Sequence, residues 1–276
     1  LSVIQDDMKN KSNSILGMAF FGPALVLMTI FLFIPMILTL IYSFTDYFAL
    51  NPKLTHFVWL ENFSAIFKDD LFTTAFGNTV KFVLIIVPLQ TLGALGLALL
   101  INRVTVCKRY FKVAFFIPVV MSLAVVSNLW MQIYSPEGIL NTMLSNFGVK
   151  PQPFIYGASQ ALPSIAFMSV WQGVGYQMII FLGGLQAINP ALYEAAEMDG
   201  AGKIRQFFHI TVPSIRPTFW YILMTRFAGA PQIFDIIYIT TNGGPNYTTE
   251  STVTYIYSRA FSSSSSMGYA SAMSVI

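Results

Sequence analysis

The chain has 276 residues, of which 55% are hydrophobic and only 10% charged, whereas soluble domains carry about 25% charged residues, so it reads as a polytopic membrane protein. A net charge of +3 gives no ground for a nucleic-acid partner. The one cysteine, Cys107, excludes an internal disulfide and a cysteine-built metal site.

Residues 1 to 14, with Asp6, Asp7, Lys9 and Lys11, read as a short polar tail, and residues 15 to 276 as a single transmembrane domain. A first span runs from Ile15 to about Ile41 and is interrupted by Pro23 and Pro35. It exceeds the core of about 7 to 15 residues that a signal peptide carries, and no small-residue cleavage site ends it, so it reads as retained. Residues 42 to 76 mix Asp46, His56, Trp59, Glu61-Asn62 and Lys68-Asp69-Asp70 with aromatics and form an outer loop with interfacial pieces. The second span, about Gly77 to Ile101, carries Gly93, Ala94, Gly96 and Ala98, small enough for close helix contact.

A basic turn (Arg103, Lys108, Arg109, Lys112) leads to a third span, about Phe111 to Trp130, with Pro118 inside it. The loop of residues 131 to 160 holds Pro136-Glu137-Gly138, Asn141 and Pro151-Gln152-Pro153. A fourth span covers Ala161 to Leu185, and a fifth, about Thr218 to Thr240, exits into Asn242-Gly243-Gly244-Pro245 and a polar loop ending at Ser266. A sixth apolar run starts at Met267 and reaches Ile276. Ten residues rise about 15 Å as helix, half of a hydrocarbon core of about 30 Å, so the sixth span is expected to continue beyond this sequence. The expected fold is an all-α membrane protein of six transmembrane helices, the sixth truncated.

Basic residues orient it. With the tail inside, Lys9, Lys11, Arg103, Lys108, Arg109, Lys112, Lys203, Arg205 and Arg216 are cytoplasmic, nine against the four outside, Lys53, Lys68, Lys150 and Arg259. The positive-inside rule thus predicts a cytoplasmic N-terminus and places the segment between spans four and five in the cytoplasm.

That segment is a polar, glycine-punctuated insert of about thirty residues. Asn189 is a good N-cap, Pro190 suits the first helical position, and Gly200 and Gly202 stop the helix. It reads Glu194-Ala195-Ala196, three residues ending in Asp199, Gly200, nine residues, Ile210, one residue, Val212-Pro213. This pattern resembles the EAA loop of permease subunits in ABC importers that work with a substrate-binding protein, with Val212 where leucine is usual. The resemblance implies that Glu194, Ala195, Ala196, Asp199, Gly200 and Pro213 belong to a coupling helix that docks on an ATPase subunit. The bare triplet would read as an ordinary amphipathic surface helix; five features at fixed spacing in a multi-span chain separate the two.

Asn62-Phe63, Asn78-Thr79, Phe116-Ile117-Pro118 and Thr241-Asn242-Gly243-Gly244-Pro245 are similar to motifs of the maltose-type carbohydrate-uptake permeases. That family implies a second homologous permease subunit, two ATPase subunits that bind ATP and magnesium, and an extracytoplasmic sugar-binding protein. It also implies a bacterial or archaeal cell membrane and no cofactor in this chain. The loops after spans three and five are expected to meet the binding protein, with Thr249 a position for cross-linking. No Gly-x-x-x-x-Gly-Lys-Ser/Thr, His-Glu-x-x-His or Gly-x-Ser-x-Gly sequence occurs, and His56 and His209 fall on opposite predicted sides, so no enzyme activity or metal site is expected.

Polar groups inside spans are costly unless they face a cavity or a partner helix. In span four, Ser169, Gln172, Gly173 and Tyr176 sit at helical spacing, an aromatic ring beside amide and hydroxyl groups, as a pyranose requires. Aligned on the EAA-like loop, this segment matches the part of maltose-type permeases that lines the sugar site; the bland reading is interhelical glue. In span five, Arg226, Gly229, Ala230 and Gln232 fall by the same resemblance at sugar-contacting positions, and arginine departs from the neutral family pattern. Asp235 lies nine residues on, about 13 Å along a straight helix, too far to pair. Three readings of Arg226 stay open: a wet pathway for an anionic sugar such as a uronate oligomer, snorkelling, and pairing with the sister subunit. An ion-gradient-driven secondary transporter is the rival class, but it calls for acidic residues in several spans, and Asp235 is the only one.

Overall fold

The structure, a computed structural model, describes residues 20–49, 51–104, 106–261 and 266–276. The tail and the first residues of the first span lie outside them. Among the described residues the chain is helical, and the only extended pairing is an isolated bridge between Thr45 and Phe57. Among the described residues, four helices are long and apolar enough to cross a membrane: α1 (Phe20–Tyr42), α3 (Asp70–Arg103), α7 (Ala161–Gln186) and α9 (Lys203–Thr240). A fifth crossing requires the bent pair α4 (Lys108–Val120) and α5 (Leu123–Ile133). Shorter helices are α2 (Glu61–Ile66), α6 (Ile139–Ser145), α8 (Pro190–Met198), α10 (Thr252–Phe261) and α11 (Met267–Val275). Contacts divide the chain into Leu1–Asp69 with Ile256–Ile276, and Asp70–Tyr255.

In the first unit, α1 opens a wide turn over Thr29–Phe33, where the Ile34 N–H reaches back five residues to the Thr29 carbonyl. Pro35, next in line, has no N–H to continue the ladder, which is what such a turn absorbs. Nearly all side chains of α1 remain uncovered by this chain, as expected of a helix whose neighbours are lipid or another subunit. The Asn62 amide donates to the carbonyls of Ser43 and Thr45, both at 2.9 Å, closing the loop that follows α1. The Tyr269 hydroxyl on α11 donates to Asp69 at 2.8 Å. Asp46 accepts from the His56 backbone N–H at 2.5 Å, which holds its carboxyl below the usual range.

In the second unit, α3 and α7 pack along their length. One cluster gathers Phe82, Ile86, Trp130, Ile165, Met168 and Ile237; the next, further along both helices, gathers Ala94, Ala98, Met178, Phe181 and Ile222. Ala94 and Ala98 are fully buried, the close contact their size permits. Gly175 serves the same end, since a Cβ there would meet the Phe115 carbonyl of α4.

The predicted third span is not one straight helix. Its two arms meet at 100° across Met121 and Ser122. Both residues are extended, and the Ser122 hydroxyl caps α5 by accepting from the Val125 N–H at 3.3 Å. Pro118, one turn earlier, has already removed a donor from the end of α4. Arms of 13 and 11 residues rise about 20 and 16 Å, so neither crosses alone. Within the predicted insert, helix resumes at Lys203 and continues into the fifth span, leaving only residues 199 to 202 between helices. Polarity there marks solvent and not an absence of helix.

The loop after α9 is tied to the start of α3 across 169 to 173 residues of sequence. The Asn78 amide on α3 donates to the Tyr247 carbonyl at 2.8 Å and the Glu250 carbonyl at 3.2 Å, and the Thr79 hydroxyl accepts from the Thr252 N–H at 2.9 Å. Asn242, Asn246 and Tyr247 hold left-handed conformations in this loop. Thr249 is fully buried, bonded to the Gly244 carbonyl and the Thr241 hydroxyl. As a cross-linking position it is therefore replaced by Tyr247, which is exposed.

Glu250 is buried in this loop, and desolvation pushes its carboxyl above the ordinary value of 4.5, against an opposing hydrogen bond from Thr254. A raised folded-state pKa means that folding favours the neutral acid, so the loop is most stable at low pH and loses stability as pH rises through that value. Glu250→Gln should therefore melt higher than the unaltered protein at about pH 8, and the gap should close below about pH 4. Melting curves across that range in detergent check both the sign and the closure.

Candidate functional site

The α9 helix does not cross unbroken. After Gly229 it tightens into a short turn, Ala230–Gln232, then opens at Ile233 and Phe234 before Asp235–Thr240 resumes. Pro231 has no N–H to offer the preceding turn, while Ala230 before it keeps helical dihedrals, and the break itself falls where Ile233 turns extended at φ −62°, ψ 120°. Backbone freed inside a membrane must find partners or line a cavity. The Ser251 hydroxyl donates to the Ile233 carbonyl at 2.9 Å, and Gln232 donates to the Ala228 carbonyl at 3.1 Å.

The break opens a cleft of about 160 Å³ between α3, α7 and α9. Ser169 and Gln172 reach it from α7, Arg226, Gly229, Ala230 and Gln232 from α9, and Phe82 and Ile86 supply an apolar wall. Six of the eight residues read as pathway positions thus share one cavity. Gly173 and Tyr176 do not: Gly173 faces α3, where the Gln90 amide nitrogen occupies the place a Cβ would take, and Tyr176 is exposed. Asp235 does line the cleft, although a straight helix would separate it from Arg226. The break brings it back. Its legible signal was the Ala230-Pro231 pair inside an apolar run.

The cleft is chemically unsatisfied. The Arg226 Nε is buried without a hydrogen-bond partner. Among the described residues the ion pairs are Asp46 with His56 and Asp69 with Arg259, so Asp235 does not neutralise Arg226 within 4.0 Å. The Ser169 hydroxyl donates to the Ile165 carbonyl at 2.9 Å, keeping its lone pairs for another donor. A half-buried guanidinium, an exposed carboxylate and two carboxamides beside aromatic and aliphatic walls suit a polar, polyhydroxylated ligand.

The second predicted group sits on α8 and its exit. The Asn189 side chain caps α8 by accepting from the Ala191 N–H at 3.0 Å, with Pro190 in the first turn. Gly200 takes φ +74° just past the helix, the left-handed exit that glycine allows without penalty. Glu194, Ala195, Asp199, Gly200 and Pro213 are exposed and Ala196 is half-buried. The Tyr193 hydroxyl, 2.8 Å from that of Thr211, ties α8 to α9. Around the turn, Met198, Ile204 and Phe208 are exposed apolar groups, and residues 202 to 205 with Phe208 and His209 line a shallow groove.

A family model described as "Binding-protein-dependent transport system inner membrane component" matches residues 105–276. The chain is 37% identical, over 96% of its length and 91% of the relative's, to "Probable ABC transporter permease protein YurN" of Bacillus subtilis (strain 168). It is 32% identical, over 95% and 85%, to "Sulfoquinovosyl glycerol transport system permease protein SmoG" of Agrobacterium fabrum. A crystal structure of a bacterial alginate ABC transporter, in complex with alginate pentasaccharide-bound periplasmic protein, holds a chain that superimposes with a TM-score of 0.84. That chain is 25% identical, with 97% of this chain and 90% of that one covered. Long apolar helices and these likenesses make the chain a multi-pass membrane protein, and it belongs to the binding-protein-dependent transport system inner membrane component family, the permeases of ABC importers.

Proposed function

We propose that this chain forms the transmembrane pathway of an ATP-driven importer for a carbohydrate delivered by an extracytoplasmic binding protein, and that the carbohydrate is acidic, such as a uronate oligomer. The observation that carries the acidic reading is the half-buried guanidinium of Arg226, whose Nε finds no partner among the described residues, in a cleft of polar groups. A cation in a medium of reduced dielectric favours an anion there, and a sugar carboxylate matches its planar fork. The likeness to a transporter of alginate, described as an acidic polysaccharide, supports the same class.

The rest of the machine follows as part of the proposal. Two ATPase subunits bind ATP and magnesium and dock at α8, where Met198, Ile204 and Phe208 surround Gly200 as uncovered apolar groups on the face predicted to be cytoplasmic. A homologous permease covers the bare flank of α1. The binding protein meets the loop around Tyr247. The ion-gradient alternative has less support, since the relatives are ABC permeases.

Proteoliposomes holding the chain with its ATPase, sister permease and binding protein should take up an acidic oligosaccharide with ATP inside, and an ion gradient alone should drive none. Equal uptake of neutral and acidic sugars would remove the acidic reading. Uptake driven by a gradient without ATP would remove the importer reading.

A further inference from the structure

Below the cleft, the contact between α3 and α7 contains two amides that bond to nothing. Gln90 is fully buried and Gln177 is 2% exposed, and among the described residues neither the oxygen nor the nitrogen of either side chain has a hydrogen-bond partner. The Thr91 hydroxyl, also buried, is unpartnered. Buried amides normally find partners, and two orphaned carboxamides about one helical turn apart along a pair of packed helices are a marked departure.

Their placement is ordered. Ser169, Gly173 and Gln177 recur every four residues on one face of α7. The first lines the cleft, the second holds the Gln90 amide against its bare Cα, and the third lies one turn further on. This stripe runs about 12 Å from the cleft toward the end of α7 that leads into α8. No molecule outside the chain reaches Gln90 or Gln177 while α3 and α7 stay packed, so neither lipid nor a sister subunit can satisfy them. Pro88 interrupts the hydrogen-bond ladder of α3 two residues before Gln90 and gives that helix a place to bend.

We propose that Gln90 and Gln177 form a second, uncharged subsite that hydrogen-bonds carbohydrate hydroxyls as the substrate leaves the cleft toward the α8 side, closed in this conformation and formed when α3 and α7 separate. This rests on the importer reading above. The subsite contains amides and a hydroxyl and no ionisable group, so it reads hydroxyls whatever the charge of the sugar, whereas Arg226 reads charge at the entrance.

The test uses the complete complex in proteoliposomes. Gln90→Met and Gln177→Met remove unpaired polar atoms at nearly constant volume. A purely structural pair would become more stable on that change and transport as before. An exit subsite instead predicts a melting temperature raised by about 2 °C or more together with uptake at least about tenfold lower for acidic and neutral sugars alike. Uptake within about twofold of normal overturns the proposal.

A second measurement covers variants that fail to fold. Gln177→Cys on a Cys107→Ser background is expected to react with a membrane-impermeant thiol reagent at least about tenfold faster during ATP turnover than without nucleotide, and added sugar should slow it. Equal rates in the two states overturn the proposal. If the unaltered complex takes up no sugar at all, the importer reading fails, while the labelling rates still report whether the seam opens.

Discussion

Arg226→Ala is expected to lower uptake of an acidic oligosaccharide by about ten- to a hundredfold while leaving uptake of a neutral sugar of the same length within about twofold. The magnitude comes from one charge-assisted hydrogen bond, about 1.5 to 3 kcal/mol, at about 1.4 kcal/mol per decade. Among the described residues the guanidinium has no carboxylate within 4.0 Å to lose, so truncation breaks no ion pair there. Arg226→Lys keeps the charge but not the planar fork and should fall between the two. Radiolabelled uptake, with complex assembly followed by co-purification, separates the outcomes. Reduced assembly with unchanged selectivity would make Arg226 a residue that pairs with the sister permease.

Gly200→Val is expected to abolish coupling, with ATP-driven uptake at least about tenfold lower in a complex that still reaches the membrane. Gly200 holds φ +74°, and nothing lies within 4 Å of where a Cβ would stand. The penalty is therefore torsional: about 1 to 2 kcal/mol for an L-residue in the left-handed region, and more for a β-branched one. That is enough to redirect the chain between α8 and α9. Asparagine tolerates the same conformation, so Gly200→Asn should retain most uptake. Substrate-stimulated ATPase activity is the second measurement. Normal stimulation and uptake in the valine variant would sink the assignment of this turn to coupling.

The apolar runs and their flanks located most helices well. Ala161–Gln186 lies within one residue of its predicted end, and the Asn189 cap, the Pro190 start and the exit at Gly200 stand as read. Such features are local: a carboxamide caps the nearest N–H, and twenty apolar residues with no water beside them must close their own hydrogen bonds as helix. Hydropathy also found the chain through Met121 and Ser122, but not that it turns by 100° there, because an average over a window has no direction. The same averaging hid the break at Ile233 and Phe234 in α9.

What the sequence by itself determined was the class of molecule, the order of its long apolar helices and the family, because these rest on local composition and on motifs read directly along the chain. What only the tertiary structure decided was which of the polar residues in the spans meet. It placed Arg226, Gln172, Ser169 and Asp235 around one cleft, turned Gly173 toward Gln90 and left Tyr176 outside. It also joined Asn78 to the loop at Tyr247 and Glu250. The reason is geometric. Helical periodicity fixes the angle between two side chains on one helix, but where a helix bends, and which neighbour faces each side, depends on how small residues such as Ala94, Ala98 and Gly175 let distant segments approach.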